Sequence, residues 1–301
     1  MSSQHEWDQR FLRLARLVAF WSKDPSTKCG AVIVRPDNTL ASVGFNGFAR
    51  GMDDHEDHYA DRAIKYPHIL HSEWNALRST QDPTLAGTTV YAWPMPPCDE
   101  CTAPLLQKKV ARVVANPPEE DKLIRWQKMF DNAHDMCLQR NVPIEHVSIE
   151  HPMLDWVDFD TDNKWHTRFL NMANEVASWS HDPVEPRGAI IVRSNKTVAS
   201  LGFNGYPQKV NDQPLIDNAE GARSARLIPA ELNAILFAQD PTLKGHTVYT
   251  WPSVPSLRVI NHLIQEEVGT IVAPTSGDID PHVVELLGKL NIALIVLDRL
   301  P

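Results

Sequence analysis

"GAVIVRPDNTLASVGFNGF" occupies residues 30–48, and "GAIIVRSNKTVASLGFNGY" occupies residues 188–206. The two align without a gap at a shift of 158 residues (188 − 30). In each, two short β-prone runs flank a turn such as "RPDN", the pattern of a β-hairpin. The shift holds well beyond the hairpin. "WDQRFLRLARLVAFWSKDP" from Trp7 pairs with "WHTRFLNMANEVASWSHDP" from Trp165, and Leu105 pairs with Leu263. A period this long means two duplicated domains rather than a solenoid of short repeats.

One reading of the local structure serves both copies. Trp7, Phe11, Leu14, Ala15, Val18 and Trp21 recur at helical spacing, so a helix with one apolar face precedes the hairpin. After the hairpin we expect a helix from about Ser72, a strand in "TTVYAW" and a helix from about Asp99. A strand "ARVVA", a helix over about residues 121–140 and a strand near "EHVSIE" follow. The expected class is α/β, each copy a mixed five-stranded sheet with helices on both faces. The expected domains are residues 1–150 and 161–301, with "HPMLDWVDFD" at 151–160 as linker.

Bulk properties narrow the partners. No apolar run approaches the roughly 20 residues that cross a bilayer, so no membrane partner is expected. The start, "MSSQHEWDQR", lacks the basic and apolar segments of a secretory signal. Four cysteines in 301 residues do not form a disulfide framework, and cytoplasm is the expected compartment. A net charge of −9 argues against a polynucleotide partner, which calls for a basic stripe. It leaves room for a mononucleotide, which needs only a local cationic pocket.

The first copy carries "HSE" at 71–73 and "PCDEC" at 97–101. Together these match H-x-E…P-C-x-x-C, the signature of zinc deaminases. His71, Cys98 and Cys101 offer one imidazole nitrogen and two thiolates, three ligands that leave a fourth zinc position for water. Both segments fall at expected helix N-termini, where the helix dipole favours thiolate. Zinc so held lowers the pKa of its water to roughly 7. Glu73, two residues past the histidine, reads as the proton shuttle rather than a ligand. A redox C-x-x-C or a structural zinc is the competing reading, which the accompanying H-x-E disfavours.

With "SKDPSTKCGAVIV", "GFNGFARG", "KYPHILHSEWNAL" and "PMPPCDEC", the first copy resembles the deoxycytidylate (dCMP) deaminase family of the cytidine deaminase-like fold. The likeness covers most of residues 7–115. Phe45 and Ala49 depart from the family's usual tyrosine and proline in the glycine-flanked motif, and Ser72 from its usual alanine. The resemblance implies hydrolysis of dCMP to dUMP, zinc dependence, oligomers, and often control by dCTP and dTTP; with one intact ligand set, one zinc per chain is expected. It also implies that Asn46 contacts the nucleoside. For the substrate phosphate, Lys28 and Arg50 are the candidate cations and Ser26 and Thr27 the candidate hydroxyl donors. The segment at 50–71, "RGMDDHEDHYADRAIKYPHILH", reads as a solvated loop or lid, because His55, His58 and His68 lack ligand spacing. Cys29 and Cys137 read as buried apolar residues, and Trp74 and Trp93 as packing.

The second copy has lost all three ligands: Pro229 stands for His71, Ser256 for Cys98 and Val259 for Cys101. Glu231 and Asn204 remain. One reading is structural, with the second copy as a permanent partner in an intrachain pseudo-dimer. The other keeps a nucleotide pocket in which Asn204 and Glu231 hold an effector such as dCTP or dTTP. The leading function is deamination of a small cytosine nucleotide, dCMP first, by the first copy. dCTP, a free cytidine nucleoside or a modified cytosine nucleotide are the close alternatives. Polynucleotide editing needs a basic channel that the charge disfavours, and a sensor without turnover has no use for Glu73.

Overall fold

The computed structural model describes residues 2–219 and 226–301, which fall into two compact units, Ser2–Met153 and Leu154–Pro301. No helix among the described residues is long and apolar enough to cross a membrane.

The N-terminal unit opens with α1 (Gln4–Ala19), started by a capping box between Ser3 and Glu6. Its apolar face, including Phe11, Leu14, Ala15 and Val18, is fully buried. The hairpin follows as β1 (Gly30–Val34) and β2 (Leu40–Phe45). Next come α4 (Ser72–Ser79), β5 (Thr89–Trp93), α5 (Asp99–Gln107), β6 (Arg112–Ala115), α6 (Glu120–Gln139) and β7 (Ile144–His146). The sheet order is β2-β1-β5-β6-β7, antiparallel as far as β5 and parallel from there on. Under it, Ala31, Ile33, Ala76, Val90 and Leu105 form a core. The expected mixed five-stranded sheet is therefore present.

The C-terminal unit repeats this plan. It contains α7 (Lys164–Ala177), β8 (Gly188–Val192), β9 (Val198–Phe203), α8 (Gln213–Ile216), α9 (Ala230–Phe237) and β10 (Thr247–Trp251). It ends with α10 (Leu257–Gln265), β11 (Thr270–Pro274), α11 (Pro281–Lys289) and β12 (Ala293–Leu297). The sheet order is β9-β8-β10-β11-β12. Even the bulge in the hairpin recurs, between Ile33 and Val34 and between Ile191 and Val192. So does a two-pronged ion pair beneath it: Arg35 grips Asp82 at 2.6 and 2.7 Å, and Arg193 grips Asp240 at 2.5 and 2.6 Å.

Two segments differ from the sequence expectation. Residues 154–160, part of the expected linker, pack on the C-terminal unit. Phe159 is buried, and the Asp160 N–H donates to the carbonyl of Asp298 at 2.9 Å. The expected solvated loop is organised as α2 (Glu56–Ala60) and α3 (Arg62–His68), framed by β3 (Gly47–Phe48) pairing with β4 (Ile69–Leu70). Its order has a physical source. Tyr59 is buried and stacks on Phe48 at 4.6 Å, and Lys65 is buried on the inner side of α3.

Candidate active site

α4 lies so close to β2 that a side chain on Gly44 would not fit. A Cβ there would stand 2.2 Å from the Ala76 nitrogen and 2.3 Å from the Ser72 oxygen. This close approach fixes the start of α4, with His71 as its N-cap and Glu73 in its first turn. Cys98 is the N-cap of α5, and Cys101 lies in that helix's first turn. Two helix N-termini thus converge on one point.

There His71 Nδ1 lies 3.4 Å from Cys98 Sγ and 3.3 Å from Cys101 Sγ, and all three ligand atoms lie within 4.8 Å of one another. Tetrahedral zinc with its usual bond lengths would place nitrogen and sulfur about 3.5 Å apart. The three residues therefore fit zinc, with one coordination position left over. The charges agree. Cys98 is held down to about 4 by hydrogen bonding with Cys101 and His71, and the Cys101 thiol is pushed up in turn. The hydrogen bond with Cys98 raises His71 to about 9 despite its burial. Cys98 is thus a thiolate in the metal-free site, and a dication binding there would displace the protons of His71 and Cys101.

Glu73 is only 6% exposed, and the Ser72 hydroxyl donates to its Oε2 at 3.1 Å. Burial raises its carboxyl above the usual range, with His71 opposing. Together with His71 and Cys98 it lines a cavity of about 570 Å³.

The other expected residues divide. Asn46, Ser26 and Thr27 line this cavity; Lys28 and Arg50 are not on its wall. The Lys28 ammonium instead donates to the Ser22 carbonyl at 2.5 Å. Most of the hydrogen-bonding capacity of Asn46 is committed internally. Its Nδ2 donates to Asp24 at 3.2 Å and to the Thr27 carbonyl at 2.9 Å, while its Oδ1 accepts the Cys29 N–H at 2.7 Å. One lone pair of Oδ1 is left for a ligand. Cys29, expected in the core, is instead half-buried on the cavity wall, where burial and the nearby Glu73 raise its thiol. Trp74 and Trp93 are off the wall; Trp93 stacks on Phe20 at 6.1 Å.

The sequence reading missed the cations that are on the wall: Arg62 and Lys65 from α3, and Lys122 and Arg125 from α6. Asp121, Trp126, Met129 and Phe130 complete the α6 face. The spacing of these six α6 residues marks a single helix face, but no sequence feature says what that face covers.

In the C-terminal unit, Asn204 repeats the bonds of Asn46, to Asp182, the Glu185 carbonyl and the Arg187 N–H. Glu231 is buried like Glu73, but its company differs. Arg187 occupies the position of Cys29 and Thr250 that of Ala92. The Thr250 hydroxyl donates to Glu231 Oε1 at 2.5 Å, and Arg187 Nη2 lies 3.5 Å from the same oxygen. Arg187 is itself fixed by Ser253 and Glu185 at 2.8 Å. Among the described residues, His71, Cys98 and Cys101 are the one cluster able to hold a metal.

The model of the cytidine and deoxycytidylate deaminase zinc-binding region matches residues 5–116 and again 163–271. The chain belongs to this deaminase family. Among its relatives, an uncharacterized deaminase from the luxG 3' region of Aliivibrio fischeri is 38% identical over 139 residues, 46% of this chain and 92% of that protein. A probable deoxycytidylate deaminase of Caenorhabditis elegans is 37% identical over 146 residues, 47% of this chain and 74% of that one. The crystal structure of dCMP deaminase from the cyanophage S-TIM5 with dCMP and dUMP aligns at 22% identity and a TM-score of 0.39, covering 48% of this chain and all of that one. The family accounts for both halves of the chain, although the second half has Pro229, Ser256 and Val259 where the first has His71, Cys98 and Cys101.

Proposed function

We propose that the N-terminal unit hydrolyses dCMP to dUMP and ammonia, and that the C-terminal unit performs no chemistry. The observation that carries this reading is the convergence of His71, Cys98 and Cys101 beside the buried Glu73 at the floor of one cavity. When bound, zinc supplies a water activated for attack at neutral pH. Glu73 would take a proton from the attacking water and pass it to N3 of the cytosine ring, then pass the proton of the new C4 hydroxyl to the amine, which leaves as ammonia as the C4–N bond breaks and the C4–O bond remains. Its raised affinity for protons suits both transfers. Asn46 offers Oδ1 to a sugar hydroxyl.

A phosphorylated substrate is supported by the rest of the wall. Arg62 and Arg125 line the cavity, together with the carboxylates of Glu100 and Asp121. Two guanidinium groups facing one pocket suit a phosphate. They replace Lys28 and Arg50 as the residues we assign to it.

For the C-terminal unit we favour the structural role over the effector role. Glu231 is held within its own unit by Thr250 and Arg187, so it is not left as an obvious nucleotide ligand, and Asn204, bonded as Asn46 is, would face a nucleotide without it. A substrate panel on the purified chain tests the whole reading: cytidine, deoxycytidine, dCMP, dCTP and single-stranded DNA. dCMP should give the highest kcat/KM. Preference for an unphosphorylated nucleoside would overturn the phosphate assignment, and preference for DNA would overturn the mononucleotide reading. Saturable dCTP or dTTP binding that survives loss of the N-terminal site would overturn the structural role of the second unit.

A further inference from the structure

Lys65 is the buried cation of the cavity wall, and it is fully engaged. Its Nζ lies 2.9 Å from Asp24 Oδ1, 2.7 Å from Asp24 Oδ2 and 2.6 Å from Ser26 Oγ. An ammonium has three N–H donors, and these are three acceptors. Lys65 is therefore not placed to bind a substrate phosphate, although it lines the cavity as Arg62 does.

Asp24 is the node on the other side. Besides Lys65, it accepts the Ser26 N–H at 2.9 Å, the Thr27 N–H at 3.2 Å, the Ser26 hydroxyl at 2.9 Å and Asn46 Nδ2 at 3.2 Å. One carboxylate thus sets the loop that carries Ser26 and Thr27 and the amide of Asn46. Its side chain is 1% exposed, so its charge needs a fixed partner. That partner comes from α3, whose first residue, Arg62, is also on the wall.

We propose that Lys65 is a positioning residue for the deamination: by clamping α3 onto Asp24 it fixes Arg62 on one wall of the cavity and Ser26, Thr27 and Asn46 on the other. The zinc ligands and Glu73 lie on α4 and α5 and take no bond from Lys65. The clamp acts on substrate binding and leaves the chemical centre untouched. This inference rests on the nucleotide reading of the cavity.

The test compares Lys65→Met, Lys65→Gln and Lys65→Arg in the full chain, with dCMP kinetics and amide hydrogen exchange of residues 62–68. Lys65→Met should raise KM about ten-fold and change kcat less than about three-fold. It should also speed exchange across α3 while zinc content stays as in the parent chain. Lys65→Arg, which keeps the charge, should recover most of the KM. Lys65→Gln keeps donors without charge, should fall between them, and stands in for Lys65→Met if that chain does not fold. Unchanged KM with unchanged exchange would overturn the clamp, as would a loss confined to kcat. Exchange needs no substrate, so a parent chain inert on dCMP would refute the substrate reading while α3 still judged the clamp.

Discussion

The two halves place a buried glutamate at the same point of the same fold and give it different company. Beside Glu73 stand His71, Cys98 and Cys101, and the first copy has Cys29 and Ala92 where the second has Arg187 and Thr250. Beside Glu231 the corresponding residues are Pro229, Ser256, Val259, Arg187 and Thr250. A buried carboxylate without a counter-charge is costly. In the second half a guanidinium and a hydroxyl meet that cost where the first half has room for a metal ion. The second half therefore differs by more than its missing ligands: Arg187 and Thr250 hold its glutamate.

The largest effect should separate the two glutamates. Glu73→Gln should lower kcat by about 10³-fold or more while zinc stays bound, a loss in the range of general acid–base catalysis. Glu231→Gln should leave turnover within about two-fold. Ultraviolet kinetics alongside metal analysis reads both, and equal losses would remove the distinction between the halves.

Next is the ion pair. Arg187→Met should destabilise the C-terminal unit by about 3 kcal/mol, because Glu231 is left buried and unpaired. Adding Glu231→Gln should restore most of that, as denaturant melts would register. No recovery in the double variant would mean that Arg187 acts through Ser253 or Glu185 instead.

A smaller effect concerns the phosphate. Arg62→Ala combined with Arg125→Ala should raise KM for dCMP about ten-fold and leave deoxycytidine nearly unchanged. Lys28→Ala should shift either KM by less than about two-fold. Steady-state kinetics on both substrates would expose a wrong assignment at once.

The comparison can also be sharpened by rebuilding. Pro229→His, Ser256→Cys and Val259→Cys together should leave the zinc content as it was, because Arg187 still brings a positive charge to Glu231 beside them. Adding Arg187→Cys and Thr250→Ala should let a second zinc bind. A second zinc in the three-residue variant would show that missing ligands were the whole difference.

The parts legible in the sequence were those encoded by short-range spacing. The 158-residue shift revealed the duplication, short β-prone apolar runs gave the strands, and H-x-E with C-x-x-C gave the cluster His71, Cys98 and Cys101 with Glu73 beside it. The illegible parts depend on distant segments meeting. Arg125 reaches the wall because α6 packs alongside α5, a contact no local pattern announces. Lys65 lay in a stretch rich in acids and histidines that looked solvated; Asp24, 41 residues earlier in the chain, draws it inside. Lys28 and Arg50 lie near the motifs in sequence, and nearness in sequence does not put them on the wall. Arg187 was the converse case: a single arginine in a cysteine's place, whose importance appeared only with Glu231 beside it.

Metal analysis of the intact chain tests the central claim most directly. The account predicts one zinc per chain, and none, with no turnover, once Cys98→Ser and Cys101→Val copy the second half's residues into the first. Two zinc ions in the parent chain, or zinc and activity surviving those two substitutions, would contradict it.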